Sequence, residues 1–443
     1  MLIDINIFLK INTLKSYKHS SPSTTFATMK EENDISLFTL SNGLRVVHQK
    51  NNRGVAHCGL MVNAGTRDEL EGEEGLAHFI EHAIFKGTKN RRTYHILNRL
   101  DSVGGELDAF TTKEMTCISA SFLTEYYDRA IELISDICLN PTFPEKELEK
   151  EKAVVMDEIL VYMDSPADQI YDDFESQVFH QHALGNQILG KVKSLKCFDK
   201  KTILNYMKRL YHADNMVFTS VGNISEKRLK SKLEKHFSSL STTETSSPRF
   251  PFTPQKVQTI KIQRDSYQTH CMMGKATYGS NHPKRTQLSL LNNLLGGPAM
   301  NSILNLRVRE KYGYTYNIES NFATYSDAGI FSIYVASDPK YIEKSIQAIY
   351  RELKELRNKK LSNNKLHLAK QQLKGQIAIA RESYNVMMLS NGKNILRHGR
   401  VRTLKEVYQN LDEISADDLQ EIAQIELNPQ NFNLLFFEGK VSE

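Results

Sequence analysis

The stretch EEGLAHFIEHAIFKG, residues 73–87, sets His78, Glu81 and His82 among Leu76, Ala77, Phe79, Ile80, Ala83, Ile84 and Phe85. So many apolar side chains in so short a span predict a helix buried almost all round. Three titratable groups on such a helix must find partners or hold a metal, because an unpaired buried polar group costs about 2–7 kcal/mol. Successive helical residues turn by about 100°, which leaves His78 and His82 about 40° apart and Glu81 about 60° to the other side of His78. All three share one arc. Two imidazoles four residues apart are a natural pair of zinc ligands, and a carboxylate between them that is not a ligand can hold the attacking water. The plain alternative is a pair of core histidines bonded to carbonyl groups.

A catalytic zinc site takes three protein ligands and keeps one position open. The third is sought on the long helix predicted from Pro144 through EKELEKEKAVVMDEILVYM to the Ser165-Pro166 break, proline being suited to a first turn. On it Glu151 and Glu158 stand seven residues apart, hence only about 20° apart on one face. Glu158, between VVMD and IL, occupies an apolar setting where an unpaired carboxylate is costly, and is the expected third ligand. Glu151 is the candidate for orienting a histidine through its other ring nitrogen, the alternative being an ordinary surface glutamate. Glu145, Glu147 and Glu149 fall in the charged first turns, where the helix dipole favours them. His180 and His182, in the loop-like FHQHALG, are further candidate ligands.

Outward from this centre, SLFTLSNGLRVVHQ (36–49) reads as a hairpin turning at Asn42-Gly43, and VAHCGLMVNAG (55–65) as a further strand. RRTYHILNRLDSVGG predicts a helix stopped by Gly104 and Gly105, MTCISASF (115–122) a half-buried alternating strand, and DRAIELISDICLNP a helix ended by Pro141. MVFTSVGN (216–223) is a strand leading into a charged helix that ends near Leu240. The Ser/Thr/Pro-rich SSLSTTETSSPRFPFTP then reads as a joint. Beyond it the rhythm recurs. Two strand-like segments flank a turn in KIQRDSYQTHCMMGKATYG, followed by a helix at SLLNNLLGG, strands YTYNIESNFA and GIFSIYVA, helices from Tyr341 to about Lys374, and a closing strand NFNLLFF. The prediction is an α+β fold of two homologous domains, each a mainly antiparallel sheet packed by helices. A flexible extension is expected at 1–32, the domain with the His/Glu cluster at 33–238, a linker at 239–254, and a domain without metal at 255–443.

The chain's 443 residues exceed one comfortable hydrophobic core. Its 57 basic and 52 acidic groups show no basic stripe or recognition motif, so no nucleic-acid partner is expected. Five widely spaced cysteines without a CxxC pair point to a reducing, cytoplasmic compartment, with an organellar matrix as the other option. No run of 18 apolar residues exists, hence no transmembrane segment is expected. MLIDINIFLK and the Ser-rich piece after it lack the basic start and small-residue cleavage site of a secretory signal, and lack the arginines of a transit segment.

A His2Glu zinc with an open position activates water and polarises a carbonyl, with Glu81 as general base on the zinc-bound water and then as proton donor to the leaving amine. Peptide hydrolysis is the reaction best served, and smaller amides use similar parts. An extended substrate can add itself as a strand to a sheet edge, and the strand at 115–122, preceded by GGELDAFT, is the candidate edge.

GLAHFIEHAIFKGT (75–88), EKAVVMDEI (151–159), LLGGPAMNSIL (294–304) and VREKYGYTY (308–316) closely resemble segments of the pitrilysin/insulinase family of zinc peptidases, the inverzincins. The resemblance runs from about residue 35 to the end. It implies one Zn2+ per chain on His78, His82 and Glu158, Glu81 as catalytic base, Glu151 in support, and Arg309 and Tyr316 against bound substrate. Asp108 stands where the family often has Asn, so Asp108 and Ala109 are implied substrate-backbone contacts. Short family members have two homologous domains, half of a clamshell, and pair as homodimers or with a homologous partner subunit, as the mitochondrial processing peptidase does. Arg309 and Tyr316 would then complete the opposite subunit's site. The implied function is a zinc-dependent metalloendopeptidase acting on short or unfolded polypeptides inside a dimeric chamber. The alternative is a non-catalytic partner or assembly subunit, which typically loses a ligand or the base. A structural zinc protein would show four ligands, often cysteines.

Overall fold

The computed structural model describes residues 34–242 and 249–440. The extension expected at 1–32 lies outside the described residues, as does the middle of the 239–254 joint. β1 (Ile35–Thr39) and β2 (Arg45–Lys50) form the expected hairpin. Gly43 takes its turn position at φ 88°, a left-handed conformation that costs glycine little. Asn42 fastens the turn by donating to the carbonyls of Phe237 at 2.7 Å and Leu240 at 3.2 Å.

With β3 (Val55–Val62), β4 (Glu106–Thr111), β5 (Thr116–Leu123) and β6 (Met216–Gly222) the hairpin makes a six-stranded sheet in the order β1-β2-β6-β3-β5-β4. The second sheet holds β7 (Thr259–Gln263), β8 (Thr269–Tyr278), β9 (Thr315–Thr324), β10 (Ala328–Ser337) and β11 (Asn433–Glu438) in the order β7-β11-β8-β10-β9. From β2 and from β7 onward the two orders coincide. In each, the strand that comes last in sequence slots between the first two, parallel to the first and antiparallel to the second. The apolar runs MVFTSVG and NLLFFE suit such central positions, which are covered on both faces. The two strands that flank the turn expected in KIQRDSYQTHCMMGKATYG, β7 and β8, are not neighbours, because β11 separates them.

Each sheet has two faces to bury, and each half supplies helices of its own for one. On the first sheet, Phe79 and Ile80 from the Leu76–Ala83 helix and Ile131, Ile134 and Ile137 from the Tyr127–Leu139 helix pack against Leu60, Ile118 and Phe218. The opposite face is covered from the other half. Met387, Met388 and Leu389 of the Tyr384–His398 helix lie on Met61, Cys117 and Val221, and Thr219 donates its hydroxyl to the Met388 carbonyl at 2.7 Å. Reciprocally, Ile170, Phe174 and Val178 of the Pro166–Val178 helix pack on Met272, Ile330 and Phe437 of the second sheet. Each crossing helix follows one of 19 residues, Glu145–Met163 or Asn363–Arg381.

Two expectations are corrected by this exchange. MTCISASF is buried on both faces rather than half-buried, because a helix absent from the sequence reading covers its second side. It is also internal: β5 lies between β3 and β4, so the edge strand is β4, which carries Asp108 and Ala109.

The turns after β4 and after β9, equivalent in the two sheets, meet around buried Arg67. Its guanidinium donates to Glu114 at 2.7 Å and to both carboxylate oxygens of Asp327 at 2.5 and 2.9 Å. Arg249 beside it forks onto both oxygens of Asp68 at 2.8 Å. Among the described residues, no helix is long and apolar enough to cross a membrane.

Gly392 is where the crossing helix comes closest to the first sheet, since a Cβ there would lie 2.4 Å from the Met61 sulfur and 3.2 Å from Thr219 Cβ. Gly392→Leu is expected to cost about 1–3 kcal/mol by overpacking, read as a lower urea midpoint. An unshifted midpoint would count against this docking.

Candidate metal centre

The centre begins with the start of the Leu76–Ala83 helix. Gly75 enters it at φ 92°, and a Cβ there would meet Gly190 Cα and the Leu189 carbonyl, each at 2.7 Å. Buried Glu69 caps the helix by accepting from the N–H groups of Gly75 at 3.0 Å and Ala77 at 2.9 Å. Burial pushes the Glu69 carboxyl well above its ordinary range, against the pull of those two bonds. Leu76, Phe79, Ile80 and Ala83 then take the core face. His78, Glu81 and His82 are left on the side where the Glu145–Met163 helix passes.

The two imidazoles meet edge to face with centroids 4.7 Å apart. Glu158 Oε2 stands 3.8 Å from His78 Nε2 and 3.6 Å from His82 Nε2. These separations are too long for hydrogen bonds. They approach the spacing of about 3.3 Å that three donors need around a tetrahedral ion with bonds of about 2.0–2.1 Å. One donor atom from each of His78, His82 and Glu158 falls within 4.8 Å of the others, the one such group among the described residues. Burial, with His82 as a lesser cause, lowers the His78 pKa to about 4, so its ring is neutral, the form that ligates a metal. The donor set therefore fits a divalent ion that takes nitrogen and oxygen ligands.

Glu151 is buried and reaches both His82 Nδ1 at 3.0 Å and Lys86 Nζ at 2.7 Å. It is no surface glutamate. Glu158, expected in an apolar setting, instead has a side chain 44% exposed, because Val154, Leu160 and Val161 around it also face outward. The buried carboxylate that must be paired is therefore Glu151, which has both partners, and not Glu158. His78 lacks a counterpart of Glu151, its Nδ1 being buried without a partner.

Glu81 Oε2 is likewise buried without a partner. Desolvation raises the Glu81 pKa, while the Thr111 hydroxyl and His82 pull the other way. Thr111 belongs to β4, so the carboxylate lies against the edge strand. There Asp108 Oδ1 accepts from the Ala109 N–H at 2.9 Å.

The other expected residues stand apart. Arg309 lies over the Tyr316 ring at 4.8 Å, on the second sheet's edge strand β9, and Tyr316 is 80% exposed. The structure joins these two to each other and not to His78. His182 is engaged with the Phe250 carbonyl at 3.0 Å and the Leu184 N–H at 3.2 Å, and His180 is exposed, so neither joins the centre. Sequence reasoning missed Glu69 and Lys86. Neither has helical spacing to its partner, so only the folded loop connects them.

A two-sheet α+β architecture carrying a His2Glu cluster defines the class of protein, and known sequences give that class a family. Residues 45–192 match the family described as insulinase (peptidase family M16), and residues 198–373 match the peptidase M16 inactive domain. A Bacillus subtilis protein named as an uncharacterized zinc protease, YmxG, is 33% identical over 396 residues, covering 88% of this chain and 95% of that one. The chain belongs to the insulinase (M16) peptidase family. The same fold occurs in a Helicobacter pylori protease, with a TM-score of 0.86 at 21% identity over 91% of this chain and 99% of that one. It occurs also in a Pseudomonas fluorescens peptidase M16 inactive domain, with a TM-score of 0.85 at 18% identity over 93% and 99%. His78, Glu81, His82, Glu151 and Glu158 all fall within the first matched region.

Metal analysis of the purified protein checks the assignment. Glu158→Gln is expected to abolish stoichiometric metal, and Glu151→Gln to weaken retention against a chelator by about 10–100-fold. Equal retention by wild type and both variants would rule the cluster out as the site.

Proposed function

We propose that the chain is a zinc-dependent endopeptidase that hydrolyses short or unfolded polypeptides, with one Zn2+ held by His78, His82 and Glu158. The observation that carries this reading is the convergence of those three side chains beside Glu81, whose carboxylate Oε2 is buried without a partner. Relatives named zinc proteases support the choice of metal. The ion, once bound, supplies Lewis acidity toward a carbonyl oxygen and toward water. Glu81 accepts the proton of the attacking water and returns it to the leaving amine, a role suited to a carboxylate whose pKa burial has raised. Glu151 fixes the His82 ring through Nδ1. β4, whose outer edge is unpaired among the described residues, offers that edge to an extended peptide, with Asp108 and Ala109 at the docking segment.

The chain is read as two domains, 33–238 and 255–443, joined through 239–254, acting as one half of a dimeric chamber. An exposed Tyr316 held by Arg309 suits a residue that meets substrate in the opposite subunit. Val154, Leu160, Val161 and Met163, exposed beside Glu158, suit a face that a partner covers. The rival reading, a non-catalytic partner subunit, typically goes with loss of a ligand or the base, whereas His78, Glu81, His82 and Glu158 are all present.

Two experiments test this. Glu81→Gln should retain metal yet lose at least about 100-fold in cleavage of a quenched peptide set. Metal-free, inactive wild type would end the peptidase reading. Mixing Arg309→Ala chains with Glu81→Gln chains should recover activity above either parent, since one composite site per mixed dimer stays whole. Mixtures no better than their parents would refute sharing between subunits.

A further inference from the structure

A cavity of about 850 Å³ opens between β4 and the helices of the second half. Asp108, Phe110 and Thr111 line it at β4, and Ile377, Ala380 and Met387 give it an apolar wall. Its charge is one-sided. Among the described residues, five cationic side chains, those of Arg285, Arg381, Lys393, Arg397 and Arg402, border it against the one carboxylate of Asp108.

Arg285, Arg397 and Arg402 make no ion pair or side-chain hydrogen bond among the described residues. Glu406, the carboxylate that acts on Arg402, is held by Arg400 at 2.7 Å and by the Thr403 N–H at 2.9 Å. Burial, and then the charges of Arg402 and Arg397, lower the Arg285 pKa to about 10. The same burial and the same arginines lower His398 to about 4, and its Nδ1 is taken by Asn281. Asn292 Oδ1 and Asn293 Nδ2, on two more lining side chains that are each 7% exposed, are buried with no partner. Three like charges with few counter-charges, beside the unpaired donor Asn293 Nδ2, make a setting that an anion would stabilise.

The cavity starts at the edge strand that bears on Glu81, so a peptide added to β4 has a path into it. Its apolar wall suits side chains, and its arginines suit bidentate recognition of a carboxylate. We propose that this cavity receives the carboxylate-bearing part of the peptide substrate, with Arg285, Arg397 and Arg402 as the clamp. The proposal rests on the peptidase reading for its choice of ligand.

The test measures binding to full-length Glu81→Gln protein by fluorescence anisotropy. The probes are a labelled decapeptide with a free C-terminal carboxylate, its C-terminal amide, and a version with a penultimate Glu replaced by Gln, which separates terminal from side-chain carboxylates. Acid forms should bind about tenfold tighter than their neutral counterparts, the worth of one or two charge-assisted bonds. Adding Arg285→Gln and Arg402→Gln should erase that difference, while Arg402→Lys alone, which keeps the charge, should retain most of it. Equal affinity for acid and neutral peptides, or a preference that survives the double substitution, overturns the clamp. Turnover by wild type separates the two readings. If acid and amide peptides are cleaved alike, the clamp fails and the peptidase stands. If nothing is cleaved while the acid preference holds, the reverse is true.

Discussion

A sheet with two apolar faces cannot be closed by helices on one side, and this chain solves the problem by exchange. The Pro166–Val178 helix leaves the first half to cover the second sheet, and the Tyr384–His398 helix returns the cover. Neither sheet is sealed without the other half. The buried ion pairs of Arg67 and Arg249 add directional bonds at the same junction, where the turns after β4 and β9 meet. Removing one partner of such a set leaves a buried charge uncompensated, a loss of about 3–5 kcal/mol.

The exchange also explains where the metal centre forms. To reach the second sheet, the chain runs the full Glu145–Met163 helix past the Leu76–Ala83 helix, which brings Glu151 and Glu158 to the two histidines. The second half repeats the course without the chemistry. Counted from the first residue of each 19-residue helix, Glu151 and Glu158 correspond to Ala369 and Gln376. The strand order repeats from β2 and from β7 onward, while among the described residues the His/Glu cluster is single. Around the second copy the cavity carries arginines and amides where the first has imidazoles and carboxylates.

Division of labour between the two glutamates follows from burial. Glu151, sealed beneath His82 and Lys86, is a fixed part of the fold that sets one ring's orientation. Glu158, one face-repeat further along, lies where the helix emerges, and its side chain is partly exposed. Glu81 completes the set as a carboxylate pressed against the edge strand, held in a poorly solvated place by the same helix that positions the histidines.

Much of this was legible in the sequence because it depends on helical spacing alone: His78, Glu81 and His82 on one arc, Glu151 and Glu158 on one face, and the repeated strand rhythm of the two halves. Helical periodicity did not reveal which of the two glutamates is buried, since that depends on what packs against the helix and not on its own residues. The edge strand was assigned to 115–122 for the same reason: alternation marks a strand, while its place in the sheet is set by partners far away in sequence. The crossing helix at 384–398 has a mixed polar and apolar sequence that gives no sign of its docking surface. Short-range geometry set the candidate ligands on shared faces, and long-range burial of two-faced sheets decided how those side chains meet, which described strand forms the edge, and where positive charge collects.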